Sequence, residues 1–305
     1  MWFRNLSLFR FSEKSARVLK ALENKLEAHR LRKVGPQEVG TSGFVSPYGA
    51  NEEPLVHRTG PYALVSIGRD ERLLPNVVIN QELSARLRKI EAKHGKRPGS
   101  KQRKQLKDDV LTDLLPRAFT RQSSVNAYFS MENGWLVVDS SSRKIAEDAV
   151  TKLRHALGTF PAVPMAAEEN PRGLMTDWLI RGKLPPGLAL ADECELRDPV
   201  ESGAIVRCRR QDLETDEVRE HLKSGKQVFQ LGLTFEDRLS FVLGEELSVR
   251  KLRFLDVIRE ELDETSAESA VAELDTRFAL MTLELETLLG KFESWFGLPR
   301  PTDKT

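Results

Sequence analysis

Enzyme chemistry needs nucleophiles, metal ligands or a phosphate cradle at workable spacing, and this 305-residue chain offers each only in fragments. Gly35, Gly40 and Ser42 match a phosphate-binding loop of pattern G-x-x-x-x-G-K-[ST], but Thr41 stands where the phosphate-reaching lysine belongs. Gly43 and Pro47 then leave no helix to aim its N-terminus at a phosphate. The five histidines (His29, His57, His94, His155, His221) form no i,i+4 pair and none neighbours a cysteine, so they read as solvated surface rather than a metal site. Cys194 and Cys208 are too few for a four-thiolate centre and read as semi-buried thiols. Glu91 and Lys93 resemble the tail of a restriction-type nuclease motif, whose Glu and Lys converge only on a strand. Here Leu83, Leu87 and Ile90 recur at helical period, which turns Glu91 and Lys93 to nearly opposite sides. Asp108-Asp109 and Glu260-Glu261 sit among basic neighbours, where ordinary ion pairing accounts for them. No catalytic constellation, metal or cofactor is expected.

Phosphate binding fares better. The net charge of +1, from 47 basic and 46 acidic residues, is uninformative, but its distribution is not. Residues 1–33 carry nine Lys/Arg against three Glu, and residues 86–107 carry ten against Glu91 alone. Residues 256–293 reverse the balance, with eleven acids against Arg259, Arg277 and Lys291. Each run on its own reads as a solvated face, but two basic segments with their compensating acids elsewhere point to a polyanion. Between Ala92 and Gln105 there is no large apolar residue, so Lys96, Arg97, Lys101, Arg103 and Lys104 form a flexible polycation suited to phosphate contact without base readout. Arg117 and Arg121 flank Phe119 just after Pro116 breaks a helix, and Phe119 is either core or an exposed contact. Arg207, Arg209, Arg210 and Gln211 close a later strand in a second basic cluster.

The elements that must position these residues follow from periodicity. Residues 2–11 read as a strand, and Ser12 caps a helix with Ala16, Leu19, Leu22 and Leu26 on its apolar side, stopped by Gly35-Pro36. Residues 35–61 form a long loop with short strands. Then come a strand at 62–67, a charged loop, helices at 80–94 and 106–115, a hairpin of 127–130 and 135–138 across Asn133-Gly134, and a helix at 143–157. A strand at 204–208, a helix at 214–223, a hairpin of 227–233 and 238–243, and a helix at 251–263 repeat that order, an internal pseudo-repeat with the basic segment inserted in its first copy. The organisation reads as 1–61, a strand-helix and loop region; 62–170, a first half with basic insertion 92–107; 171–263, a second half; and 264–305, an acidic helical region. Val271, Leu274, Phe278, Met281, Leu285, Leu288 and Phe292 make a heptad-like stripe, either core or a dimer contact. The class is α+β, with mixed hairpin sheets and helices. No apolar run reaches the ~18 residues of a membrane helix, and the N-terminus lacks a signal-peptide pattern, so a reduced, cytoplasmic protein is expected.

Five stretches carry a family resemblance: Trp2-Phe3-Arg4-Asn5-Leu6, Leu114-Leu115-Pro116-Arg117-Ala118-Phe119-Thr120-Arg121, Lys144-Ile145-Ala146-Glu147-Asp148, Gln211-Asp212-Leu213 after a basic pair, and Asp275-Thr276-Arg277-Phe278-Ala279-Leu280-Met281-Thr282. They span nearly the whole chain and resemble the RdgC family of bacterial recombination-associated proteins. The resemblance implies a nucleoid-associated protein that binds duplex DNA with little sequence preference. It also implies an elongated, horseshoe-like monomer closing into a ring-shaped homodimer around DNA, and restraint of RecA-promoted strand exchange. It puts Phe119 at or near a contact that closes the ring, and Arg209 and Arg210 against DNA. The family commonly has lysines at that pair, so charge is kept while hydrogen-bond geometry is not.

The expected function is therefore non-enzymatic duplex binding by phosphate neutralisation. The alternatives are a metal-dependent nuclease, or a module that contacts the recombinase directly through the acidic C-terminal region.

Overall fold

Ser12 starts the first helical run as its spacing requires, its hydroxyl oxygen accepting a hydrogen bond from the Ser15 N–H. In the computed structural model, which describes residues 1–49, 52–200, 203–263 and 269–302, that run follows β1 (Ser7–Arg10) and comprises α1 (Glu13–Ala16), a 3-10 turn (Arg17–Ala21) and α2 (Leu22–Glu27). Leu19, Leu22 and Leu26 are fully buried. The helix ends at Glu27, well before Gly35-Pro36, because the chain leaves it to bond β2 (Gly40–Val45). The Leu31 N–H donates to the Phe44 carbonyl at 2.8 Å and the Phe44 N–H to that of His29 at 2.9 Å. Gly43 permits this approach, since a Cβ there would lie 2.6 Å from the backbone of Leu31. A strand follows the near-match to a phosphate loop, so no helix N-terminus is presented there.

β3 (Val56–Thr59) and β4 (Tyr62–Arg72) come next. β4 runs through Arg69-Asp70-Glu71-Arg72, residues whose charges had suggested a loop; Asp70 is buried and accepts from the Val34 N–H at 3.3 Å. The helices α3 (Asn76–His94) and α4 (Ser100–Leu114) precede β5 (Thr120–Ser130) and β6 (Trp135–Val138). β5 and β6 pair across Gly134 (φ 71°), as the Asn-Gly signal required. Then follow α5 (Arg143–Leu157), β7 (Val163–Pro164), α6 (Pro171–Arg181), β8 (Leu188–Arg197), β9 (Ile205–Arg209), α7 (Asp216–Lys223), β10 (Gln227–Phe235), β11 (Leu239–Gly244), β12 (Val249–Phe254), α8 (Asp256–Asp263) and α9 (Ala270–Phe296). The first sheet has the order β2-β4-β5-β6-β1-β7 with β3 against β4, and the second has the order β12-β11-β10-β8-β9. The class is α+β.

Two elements depart from the expected order. β8, which the periodicity did not separate from its surroundings, pairs with both β9 and β10. The start of the expected 251–263 helix is β12, where Val249, Leu252 and Phe254 are buried between exposed or half-buried cations. With these two strands the second half does not repeat the first. The acids Glu264 and Glu268 lie outside the described residues.

The chain divides into two compact units. The first, Met1–Ala28, Ser46–Ser66 and Val125–Thr305, contains the whole second sheet and α9. Leu274, Phe278, Met281, Leu285, Leu288 and Phe292 of α9 are buried in its core, while Val271 alone of the stripe is exposed, which decides for core over dimer contact. His57 is buried in this unit rather than solvated: its Nδ1 lies 2.6 Å from the Tyr48 hydroxyl and its ring packs on Phe278. The second unit, His29–Val45 and Ile67–Ser124, holds β2, α3, α4 and the adjoining ends of β4 and β5.

Candidate nucleic-acid interface

In the second unit the expected flexible polycation is a helical hairpin. Gly95 caps α3 in the left-handed region (φ 66°), its N–H donating to the Glu91 carbonyl at 2.8 Å. Gly99 then starts α4, accepting from the Arg103 N–H at 2.9 Å. Lys, Arg and Gln are good helix formers, so a stretch without large apolar residues still folds helically once Ile79 and Leu83 of α3 and Val110 of α4 have a core to bury in. Lys101, Arg103 and Lys104 are exposed on the first turns of α4 and make no ion pair among the described residues. Lys96 lies exposed in the connection, and Arg97 there pairs with Glu91 at 3.0 Å. That pair lies at the end of α3, so Glu91 and Lys93 are helical and do not converge.

Beyond α4 the backbone is held by hydrogen bonds while the Arg117 and Phe119 side chains are exposed. Arg72 donates to the Ala118 carbonyl at 2.9 Å, and the Leu73 N–H to that of Phe119 at 2.8 Å. Phe119 nonetheless stands 84% exposed, which excludes the core alternative. Val39 and Leu73 are exposed as well, and the Arg72 N–H donates to the Val39 carbonyl at 2.8 Å, so the backbones that carry Val39, Leu73 and Phe119 are hydrogen-bonded neighbours; Val77, at the start of α3, is also exposed. Exposed apolar groups gathered in one place mark interaction sites. Arg117 is exposed, and Arg121 lies 3.9 Å from Glu71.

In the first unit, β9 ends at Arg209, and Arg210 follows in the left-handed region (φ 55°), where the Gln211 N–H donates to the Asp192 carbonyl at 3.2 Å. Arg209 and Arg210 are exposed and Gln211 half-buried. Alternation along β9 turns Cys208 inward between Arg207 and Arg209. Arg207 donates to buried Glu195 at 2.6 Å. Burial pushes the Glu195 carboxyl up, but Arg207 and Arg197 outweigh it and hold the group below its ordinary value. Sequence reasoning missed Arg250, Lys251 and Arg253 on β12, which line the same clefts as Arg209. The spacing of Val249, Leu252 and Phe254 was the available signal, obscured by one break in its period of two.

Beneath these cations Cys194 and Cys208 are directly paired across β8 and β9, both buried. Burial, with Cys208 alongside, pushes the Cys194 thiol up to about 12, leaving about one part in ten thousand as reactive thiolate at pH 8. Iodoacetamide is therefore expected to leave Cys194 of the folded protein unmodified and to alkylate it after denaturation, as counted by mass spectrometry.

A family model described as "Putative exonuclease, RdgC" matches residues 1–298. The Recombination-associated protein RdgC of Xanthomonas axonopodis pv. citri (strain 306) is 45% identical over 301 residues, covering 98% of this chain and 99% of that protein. Its namesake from Xanthomonas campestris pv. campestris (strain B100) is 44% identical, covering 94% and 95%. That of Stenotrophomonas maltophilia (strain R551-3) is 42% identical, covering 98% and 99%.

Proposed function

The chain belongs to the RdgC family, and from that premise we propose that it is a non-enzymatic, sequence-nonspecific double-stranded DNA-binding protein of the nucleoid. It encircles DNA as a ring-shaped homodimer of horseshoe-like subunits and restrains RecA-mediated homologous recombination. The observation that carries the reading is charge left uncompensated on the surface of both units. Lys101, Arg103 and Lys104 in one, and Arg209 and Arg210 in the other, make no ion pair among the described residues. Such cations gain most by displacing counterions from a polyanion. The apolar surface around Phe119 supplies the subunit contact, and closure around the duplex gives persistence, so the recombinase meets DNA already occupied. Among the described residues no helix is long and apolar enough to cross a membrane, consistent with a site of action on the chromosome.

Binding of this kind reads phosphates, not base edges. Base readout needs ordered donors held in a groove, and the α4 cations Lys101, Arg103 and Lys104 stand on an open surface with no Asn or aromatic residue among them. Competition among duplexes of unrelated sequence is expected to give similar affinities. A preference above roughly 10³-fold, the low end for specific binders, overturns the proposal.

The family model's description as an exonuclease favours one second reading, metal-dependent DNA cleavage. Incubation with duplex DNA and Mg²⁺ separates the two: release of nucleotides replaces the binding proposal with the enzymatic one.

A further inference from the structure

The two outermost strands of the second sheet present cations on one face, and strand pairing explains how. In β12 the buried residues are Val249, Leu252 and Phe254, so the inward set breaks its period of two once. The register marks the break: Val242 faces Arg250 and Ser240 faces Arg253, two steps along β11 against three along β12. Lys251, at φ 52°, lies within that β-bulge. In a regular strand Arg250 and Arg253, three residues apart, would point to opposite faces; the bulge brings both to the same one. Lys251 and Arg253 line a cleft of about 450 Å³ together with Arg209 and Arg210. Arg250 and Arg207 line a second cleft of about 240 Å³ that shares Arg209 and Lys251 with the first.

The floor between these walls is low. Ala191, Gly232 and Ser240 line it, and a Cβ at Gly232 would lie 2.9 Å from the Glu193 carbonyl oxygen. Three acids, Asp192, Glu193 and Glu195, share the face with six cations. Lys251 engages Glu193 at 2.5 Å and Arg207 engages Glu195 at 2.6 Å. Arg209, Arg210, Arg250 and Arg253 make no ion pair among the described residues. β9 and β12 are separated by four interstrand steps, about 19 Å at ~4.8 Å each. A major groove is about 12 Å wide, so long side chains leaning inward from both walls span the two sugar-phosphate backbones that flank it.

Resting on the duplex-DNA reading above, we propose that the open face of this sheet is a two-sided phosphate clamp. Arg209 and Arg210 meet one backbone, Arg250 and Arg253 meet the other across a single groove, and Lys251 holds Glu193 out of the phosphates' way. A single strand offers one row of phosphates and engages one wall at a time, so the clamp favours duplex.

The test measures fluorescence anisotropy of the full chain with a labelled duplex and with one of its strands alone, across salt. R250Q/R253Q and R209Q/R210Q are each expected to flatten the duplex salt slope by up to ~1.8 and to weaken duplex binding about tenfold at physiological salt. Single-strand binding falls less, so the preference for duplex shrinks. Because Arg250 is half-buried, R253Q alone, at an exposed position, serves as the variant that leaves the strand intact, with half the slope change. The clamp is overturned if the β12 variants bind duplex like the unaltered protein while R209Q/R210Q does not, or if every variant loses duplex and single strand equally. Absence of salt-dependent duplex binding by the unaltered protein overturns the DNA reading and the clamp with it.

Discussion

Phe119→Ser is expected to leave each chain folded while opening the dimer and weakening DNA binding, although no charge is touched. The side chain is 84% exposed in the single chain, and the Leu73 N–H and the Arg72 guanidinium donate to the backbone carbonyls of Phe119 and Ala118, so neither bond involves the phenyl group. A surface change of that kind stays within about 0.5 kcal/mol for the monomer. In a two-fold contact the same residue is lost from both copies, and burial of one phenyl group is worth about 1.5–3 kcal/mol. The dimer therefore loses about 3–6 kcal/mol, a factor of roughly 10²–10⁴ in its dissociation constant. Sedimentation should show monomer at concentrations where the unaltered protein is dimeric, with an unchanged far-ultraviolet circular dichroism spectrum. The melting temperature should fall modestly and lose its dependence on concentration, because only the dimer's share of stability is removed. An intact dimer with unchanged DNA binding would take Phe119 out of the interface.

Phe119 also shows where reading the sequence stopped. A Phe between two arginines after a helix-breaking proline fits core and contact equally well, because its backbone is fixed by residues distant in sequence: Leu73 bonds the Phe119 carbonyl and Arg72 that of Ala118. Local signals were reliable where the chain's own chemistry decides. α5 spans the expected 143–157, with Ser142 at one end and Gly158 at the other, and Asn133-Gly134 turns the hairpin. α9 buries its stripe apart from Val271. They failed where partners decide. β8 carries acids at Asp192, Glu193 and Glu195 and looks too polar for an inner strand, yet Glu193 and Glu195 are matched by Lys251, Arg207 and Arg197 from its own face. His57 likewise gave no hint of burial until Tyr48 and Phe278 closed around it. At β12 a single bulge shifted the apolar period and turned a strand into an apparent helix start, hiding the cations it carries.

The cations of α4 carry the second large effect. The slope of log K against log[salt] changes by about 0.9 for each phosphate contact on duplex DNA, so three independent contacts by Lys101, Arg103 and Lys104 would sum to roughly 2.7 per chain engaged. A flexible segment would let all three reach phosphates independently. A helix does not: at about 100° per residue, Lys101 and Lys104 lie some 60° apart on one side, whereas Arg103 lies about 160° from Lys101. On the proposed DNA-binding reading, Lys101 and Lys104 therefore meet a phosphate backbone together while Arg103 points away from it. Gln preserves the helix, since its propensity is close to that of Lys and Arg. K101Q/K104Q is accordingly expected to give a change of up to ~1.8, with little added by R103Q. Lys291→Gln on α9, among the acids, should leave the slope unchanged and serves as the control. If the α4 run is merely a solvated face, the double and triple variants will both behave like that control. A strong effect of R209Q/R210Q beside a flat response from α4 would then assign DNA contact to the second sheet, and the helical hairpin would be left outside the interface.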